Sequence, residues 1–204
     1  MRGTYAFFMG AFLASFLTAG HQSVHAQPKP QATPLQELTD IRGKEHRPFS
    51  HKNTRAAVLV FITVDCPIAN SYCPTMNQLS KEYSRKGFSL YLVHPDPDIT
   101  GAAAKKHAKD FKLQPPVVRD PKQILVRYLK AKMTPEAFVV DRKGKILYRG
   151  RIDNLYEDYG KKRQKATKHD LKAALDAIVA GQPVPKPRTK AIGCDIALIE
   201  EKLP

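Results

Sequence analysis

AAVLVFITVDCPIANSYCPTM, Ala56 to Met76, is the stretch on which the fold depends. Ala56 to Val64 is almost continuously apolar and β-branched, the pattern of a strand buried on both faces. It stops at Asp65-Cys66-Pro67, and a helix is expected from there to about Lys86. Met76, Leu79 and Tyr83 recur at helical spacing, and Gly87 supplies the stop. A strand that hands a cysteine to a helix start is a reactive-thiol arrangement. The unsatisfied N–H groups and partial positive charge of a helix N-terminus favour thiolate over thiol. Pro67 suits a first helical turn. Asp65 opposes the effect, since a neighbouring carboxylate disfavours a second negative charge.

Working outward, Phe88 to Val93 reads as a second strand and Thr100 to Phe111 as a helix with Thr100 as N-cap. Pro121 to Leu129 reads as a helix with proline in its first turn. Glu136 to Val140 and Lys145 to Tyr148 form a hairpin around Asp141-Arg142-Lys143-Gly144. Asp170 to Ala180 is an amphipathic helix ended by Gly181. Leu38 to Gly43 is expected to be a short strand and turn, and Lys44 to Arg55 a loop. Early alternation of strand and helix, then an antiparallel pair, implies an α/β fold with a mixed sheet flanked by helices.

The ends are of different character. Tyr5 to Ala19 is an apolar run after Arg2, and Val24-His25-Ala26 resembles a cleavage site, so residues 1–26 read as a secretory signal. The run falls short of the ~20 apolar residues of a spanning helix, so no membrane span is expected after cleavage. Residues 27–34 are a Pro-rich linker, 35–181 the domain, and 182–204 a tail. An exported, periplasmic or extracellular protein can hold disulfides, and Cys66, Cys73 and Cys194 all survive cleavage. Three is odd, so at least one thiol stays free or pairs with another molecule.

The net charge of +15 is spread along the chain, with one dense patch from Lys161 to Lys168. No aromatic interleaving or nucleic-acid motif accompanies it, so a solvated loop and helix edge is expected and no nucleic-acid partner.

The order of elements resembles the thioredoxin fold, in its redoxin branch of AhpC/TSA-like proteins and exported thiol–disulfide oxidoreductases. Phe61 to Cys66 matches the end of the central strand with its nucleophilic cysteine. Pro74, eight residues after Cys66, matches the kink proline of the active-site helix. Thr134-Pro135 matches the cis-proline that faces the active cysteine and contacts substrate. Asp141 to Gly150, DRKGKILYRG, looks like the redoxin hairpin. The likeness covers residues 35 to 181. The chain departs from the family at Ala69, where a thioredoxin has its second cysteine, at Asp65 in place of Trp, and at Val60 in place of a buried acid. The peroxiredoxin motif is half present, as Thr63-Val64-Asp65-Cys66 with Leu59 where proline should stand.

The resemblance implies that Cys66 attacks a protein disulfide or a peroxide and that an external thiol reductant restores it, with no cofactor. The second thiol is open. Seven residues of α-helix separate Cys66 and Cys73 by about 10.5 Å, beyond the ~7 Å a disulfide spans, so Cys73 pairs only if the first turn unwinds. Cys194 sits beside Gly193 on a tail long enough to fold back, and redoxin-like exported proteins often end in a similar Gly-Cys-x-Ile. A Cys66–Cys194 pairing is therefore the expectation. Two readings of other classes stand beside it. One is a Cu(I) binder using Cys66, Cys73 and His94. The other is a non-catalytic thioredoxin-like binding module whose cysteines only staple the tail.

Overall fold

The computed structural model describes residues 33–199, together with residues 1 and 3. The expected signal segment and most of the linker lie outside the described residues. No helix among the described residues is long and apolar enough to cross a membrane.

The chain runs through β1 (Leu38–Thr39), β2 (Glu45–His46), β3 (Ala56–Phe61), α1 (Pro67–Ser71), α2 (Cys73–Ser84), β4 (Phe88–His94) and α3 (Gly101–Asp110). It continues through β5 (Val117–Arg119), α4 (Ile124–Leu129), β6 (Met133–Thr134), β7 (Glu136–Asp141), β8 (Ile146–Gly150), β9 (Tyr156–Asp158), β10 (Lys161–Lys162), α5 (Asp170–Val179) and β11 (Cys194–Asp195).

The main sheet has the order β5-β4-β3-β7-β8. β3 pairs parallel with β4 and antiparallel with β7, which puts it at the centre. All six β3 residues are buried. Alternation sends Ala56, Val58 and Val60 to one face, against Met76, Leu79 and Tyr83 of α2 and Leu171 and Leu175 of α5. Ala57, Leu59 and Phe61 face the other way, against Leu125, Val126 and Leu129 of α4. A strand covered on both faces has no polar side to show, which is why it reads as an unbroken apolar run. The fold is the thioredoxin-like α/β fold, with a mixed sheet between helices.

Three details differ from the sequence reading. The helix expected from Cys66 to Lys86 is two helices, broken at Tyr72. Pro74 has no N–H to offer the Asn70 carbonyl, and the Tyr72 N–H turns back to Ala69 O at 3.1 Å. The helix expected to begin at Pro121 begins at Ile124. Gln123 is left-handed at φ 51°, and the Asp120 carboxylate takes the Ile124 and Val126 N–H groups at 2.8 and 2.9 Å. The short strand expected at Leu38 is β1, but its partner β2 lies in the stretch read as loop, and β9–β10 form a second small ribbon. The basic run is exposed, and it begins as β10.

The tail from residue 182 crosses the domain. Residues 187–189 run along the edge of β8, with Arg149 N–H donating to Pro187 O at 2.9 Å and Thr189 N–H to Arg149 O at 3.1 Å. Thr189 Oγ1 lies 2.7 Å from Tyr148 Oη and accepts from the Arg151 N–H at 3.1 Å. Gly150, at φ +142°, makes this contact possible. A Cβ there would sit 2.1 Å from Thr189 Oγ1. Beyond the strap, β11 pairs antiparallel with β6, Cys194 opposite Thr134 and Asp195 opposite Met133.

Candidate active site

Cys66 is the N-cap of α1, in extended conformation at φ −87°, and is 1% exposed. Its Sγ accepts from the Ala69 N–H at 3.4 Å, as an N-cap oxygen would. Its S–H donates to the Thr134 carbonyl at 3.0 Å. Cys194 Sγ donates to Cys66 Sγ at 2.6 Å, and a disulfide at ~2.05 Å needs only a small further approach. All three cysteines are thiols in this structure. Thr134–Pro135 is a cis peptide bond. Thr134 Oγ1 lies 3.3 Å from Thr63 Oγ1 and donates to the Cys194 carbonyl at 3.4 Å.

Of the residues singled out in the sequence, Cys66, Cys194, Thr134 and Pro135 therefore lie together, at the C-terminal end of the central strand. Cys73 does not join them. It is buried in the core, and its sulfur faces the Ala69 carbonyl at 3.9 Å. Burial pushes its thiol up to about 11. Burial, then the hydrogen bond to Cys66 and the charge of that sulfur, push the Cys194 thiol up to about 12.

His94 is neither a loop histidine at the sheet edge nor part of a ligand set with Cys66 and Cys73. It ends β4 and is fully buried. Among the described residues no three His, Cys, Asp or Glu side chains converge as metal ligands. His94 instead forms a chain that sequence reasoning missed. Asn70 Nδ2 donates to Val64 O at 2.8 Å, so its Oδ1 is the acceptor facing His107 Nε2, also at 2.8 Å. His107 then carries its proton on Nε2, and Nδ1 accepts from His94 Nε2 at 3.3 Å. The Asn70 N–H holds the Cys66 carbonyl at 3.0 Å. The imidazole pair thereby fixes the side chain that ties down the Val64–Cys66 turn. The available signal was the i, i+3 spacing of Ala104 and His107 on the buried face of α3.

Burial, then His107 and Arg119, lower His94 from an ordinary 6.5 to about 3. Burial lowers His107 as well, against the opposing charges of Asp110 and Asp65. The folded protein keeps His94 neutral while the unfolded chain takes up a proton below pH 6.5. Its contribution is complete above pH 6.5 and is lost as pH falls toward 3, at up to ~1.4 kcal/mol per pH unit. Between pH 7 and 4.5 the urea stability of the protein is expected to fall by about 2–3 kcal/mol more than that of His94→Gln. Equal acid slopes in the two proteins would count against the buried neutral pair.

The thiol-disulfide oxidoreductase ResA of Bacillus thuringiensis is 27% identical over 110 residues, 54% of this chain and 62% of the relative. ResA of Geobacillus kaustophilus is also 27% identical, over 53% of this chain and 61% of that protein. The chain thus spans less than two thirds of these curated relatives. An uncharacterized conserved protein of Geobacillus kaustophilus superposes with a TM-score of 0.72 at 27% identity, over 87% of this chain and 95% of that one. A protein assigned as the thiol:disulfide interchange protein DsbE of Chlorobium tepidum superposes with a TM-score of 0.54 at 25% identity, over 70% and 92%. The profile of the AhpC/TSA family matches residues 30–149, more than half of the chain, and the protein belongs to that family.

Proposed function

We propose that the protein is an exported thiol–disulfide oxidoreductase in which Cys66 is the nucleophile and Cys194 the resolving thiol. The observation that carries the reading is the 2.6 Å separation of the two sulfurs at a helix start, beside Thr134-Pro135. The position three residues after Cys66 is Ala69, so the dithiol of the fold is rebuilt from the two ends of the domain.

The chemistry balances as two exchanges. Cys66 gives up its proton, loses the bond to Thr134 O and keeps the Ala69 N–H donor. Its thiolate attacks one sulfur of a substrate disulfide, forms a mixed disulfide and releases the other substrate sulfur as a thiol. Cys194, once deprotonated, attacks the Cys66 sulfur and expels the remaining substrate thiol. The substrate disulfide gains two electrons and two protons, and the protein is left with a Cys66–Cys194 disulfide. An external dithiol reductant returns it to the starting state. The apolar N-terminal run and its cleavage-site pattern support export, where such a disulfide persists.

The test is connectivity. Oxidised protein, alkylated without reductant and mapped by mass, is expected to yield a single Cys66–Cys194 cross-linked peptide. Cys73 is expected to react only after denaturation. Three free thiols after oxidation, or a Cys66–Cys73 bond, would overturn the reading.

A further inference from the structure

A nucleophilic cysteine has to meet a disulfide sulfur, yet Cys66 is 1% exposed. What lies over it is the protein's own tail. Gly193 to Ile199 is held against the domain by the short strand β11, by further backbone bonds and by one buried side chain. β11 pairs with β6, and the Ile196 N–H donates to Lys132 O at 2.8 Å. Gln123, itself 1% exposed, presents its amide edge to the tail as a neighbouring strand would. Its Nε2 donates to Ala197 O at 2.7 Å, and its Oε1 accepts the Ile199 N–H at 2.9 Å.

The groove is selective along that strand. A Cβ at Gly193 would lie 2.0 Å from Thr134 O and 2.6 Å from its carbon, and backbone cannot yield as a side chain can. Ile196 is buried in the cluster that contains Phe61 and Leu129. Asp195 and Ala197 are exposed. The groove therefore demands glycine before the cysteine and an aliphatic residue two positions after it, and reads nothing between.

We infer that Gly193–Ile199 is a displaceable strand lodged in the groove that receives the protein's partner. That partner is a protein offering an extended Gly-Cys-x-aliphatic segment. The inference rests on the reading of Cys66 as the reacting thiol. One strand fits beside β6 at a time, so the tail leaves when the partner enters and returns with Cys194 to displace it. The strap at residues 187–189 keeps the displaced segment tethered, so its return is intramolecular and depends on tether length rather than on protein concentration.

The test measures accessibility and needs no turnover. In Cys194→Ser protein the tail still covers Cys66, and iodoacetamide is expected to modify it slowly. Adding Gly193→Val, which cannot seat beside Thr134, or Gln123→Ala, which releases residues 197 and 199, is expected to raise the Cys66 rate at least ~10-fold while Cys73 stays protected. The fold-change follows from the opening equilibrium that governs a covered group. An unaltered Cys66 rate in both variants overturns the inference, as does an equal rise at Cys73, which reports general loosening. A labelled peptide KAIGSDIALI is expected to bind Gly193→Val/Cys194→Ser protein, and the same peptide with valine for glycine is not. Equal binding of the two peptides, or binding of neither, overturns the assigned partner chemistry. Failure of the connectivity test leaves these rates unchanged, so the two readings fall separately.

Discussion

Cys66→Ser protein is expected to lose disulfide reduction by at least ~10³-fold, the scale on which removal of an enzyme's nucleophile acts. That is about 4 kcal/mol of transition-state stabilisation. The serine hydroxyl can keep the Ala69 N–H and the Thr134 carbonyl as partners, so the loss will report chemistry rather than folding. Cys194→Ser is expected to behave differently. Its first exchange proceeds and its second has no attacking thiol, so the mixed disulfide of Cys66 with substrate accumulates and turnover stops after one event. Pre-reduced protein mixed with insulin, with no free dithiol to cleave the mixed disulfide, and run on non-reducing gels separates the two. Insulin reduction retained in Cys66→Ser would remove the catalytic assignment. Release of reduced insulin without a trapped species in Cys194→Ser would assign resolution to another thiol. Cys73→Ala is expected to leave both exchanges intact, because that sulfur faces a helix carbonyl inside the core.

The second large effect is on stability. Phe61→Ala is expected to cost about 3–5 kcal/mol, the range for emptying a buried aromatic site. Phe61 is fully buried and meets Phe138 edge-on, centroids 5.7 Å apart at 82°. It stands in register with Glu136, the residue after Pro135, so it also fixes how the strand carrying Cys66 meets the Thr134–Pro135 turn. For a domain of this size each kcal/mol moves the melting temperature by ~2–4 °C, so a drop of roughly 10 °C or more is expected. Phe61→Leu keeps most of the apolar volume and is expected to lose less than half as much. Thermal unfolding of reduced protein measures both. A Phe61→Ala loss under about 1 kcal/mol would mean that the site collapses around the cavity and that this ring does not hold the two halves of the site in register.

Much of the fold was legible because it rests on local pattern. The all-apolar β3, the helical spacing of Met76, Leu79 and Tyr83, and the turn at Asp141–Gly144 report burial and backbone preference directly. The misjudged boundaries lie where a side chain from elsewhere, or a missing donor, replaces the expected cap. Asp120 moves the start of α4, and Pro74 splits the helix after Cys66 into α1 and α2. β2 and β10 were invisible because two-residue strands carry no periodicity.

By itself the sequence determined that a buried central strand leads to Cys66 at a helix start, that a second cysteine is missing at Ala69, and that a tail carries Cys194 beside a glycine. Only the tertiary structure decided which atoms meet. It puts Cys194 on Cys66 through β11–β6 pairing, sinks His94 against His107 behind Asn70, and turns Gln123 toward the tail. These contacts join residues up to 128 positions apart. Their cause is the register of paired backbones and the filling of a shared core, and neither leaves a periodic trace in the segment that carries the residue.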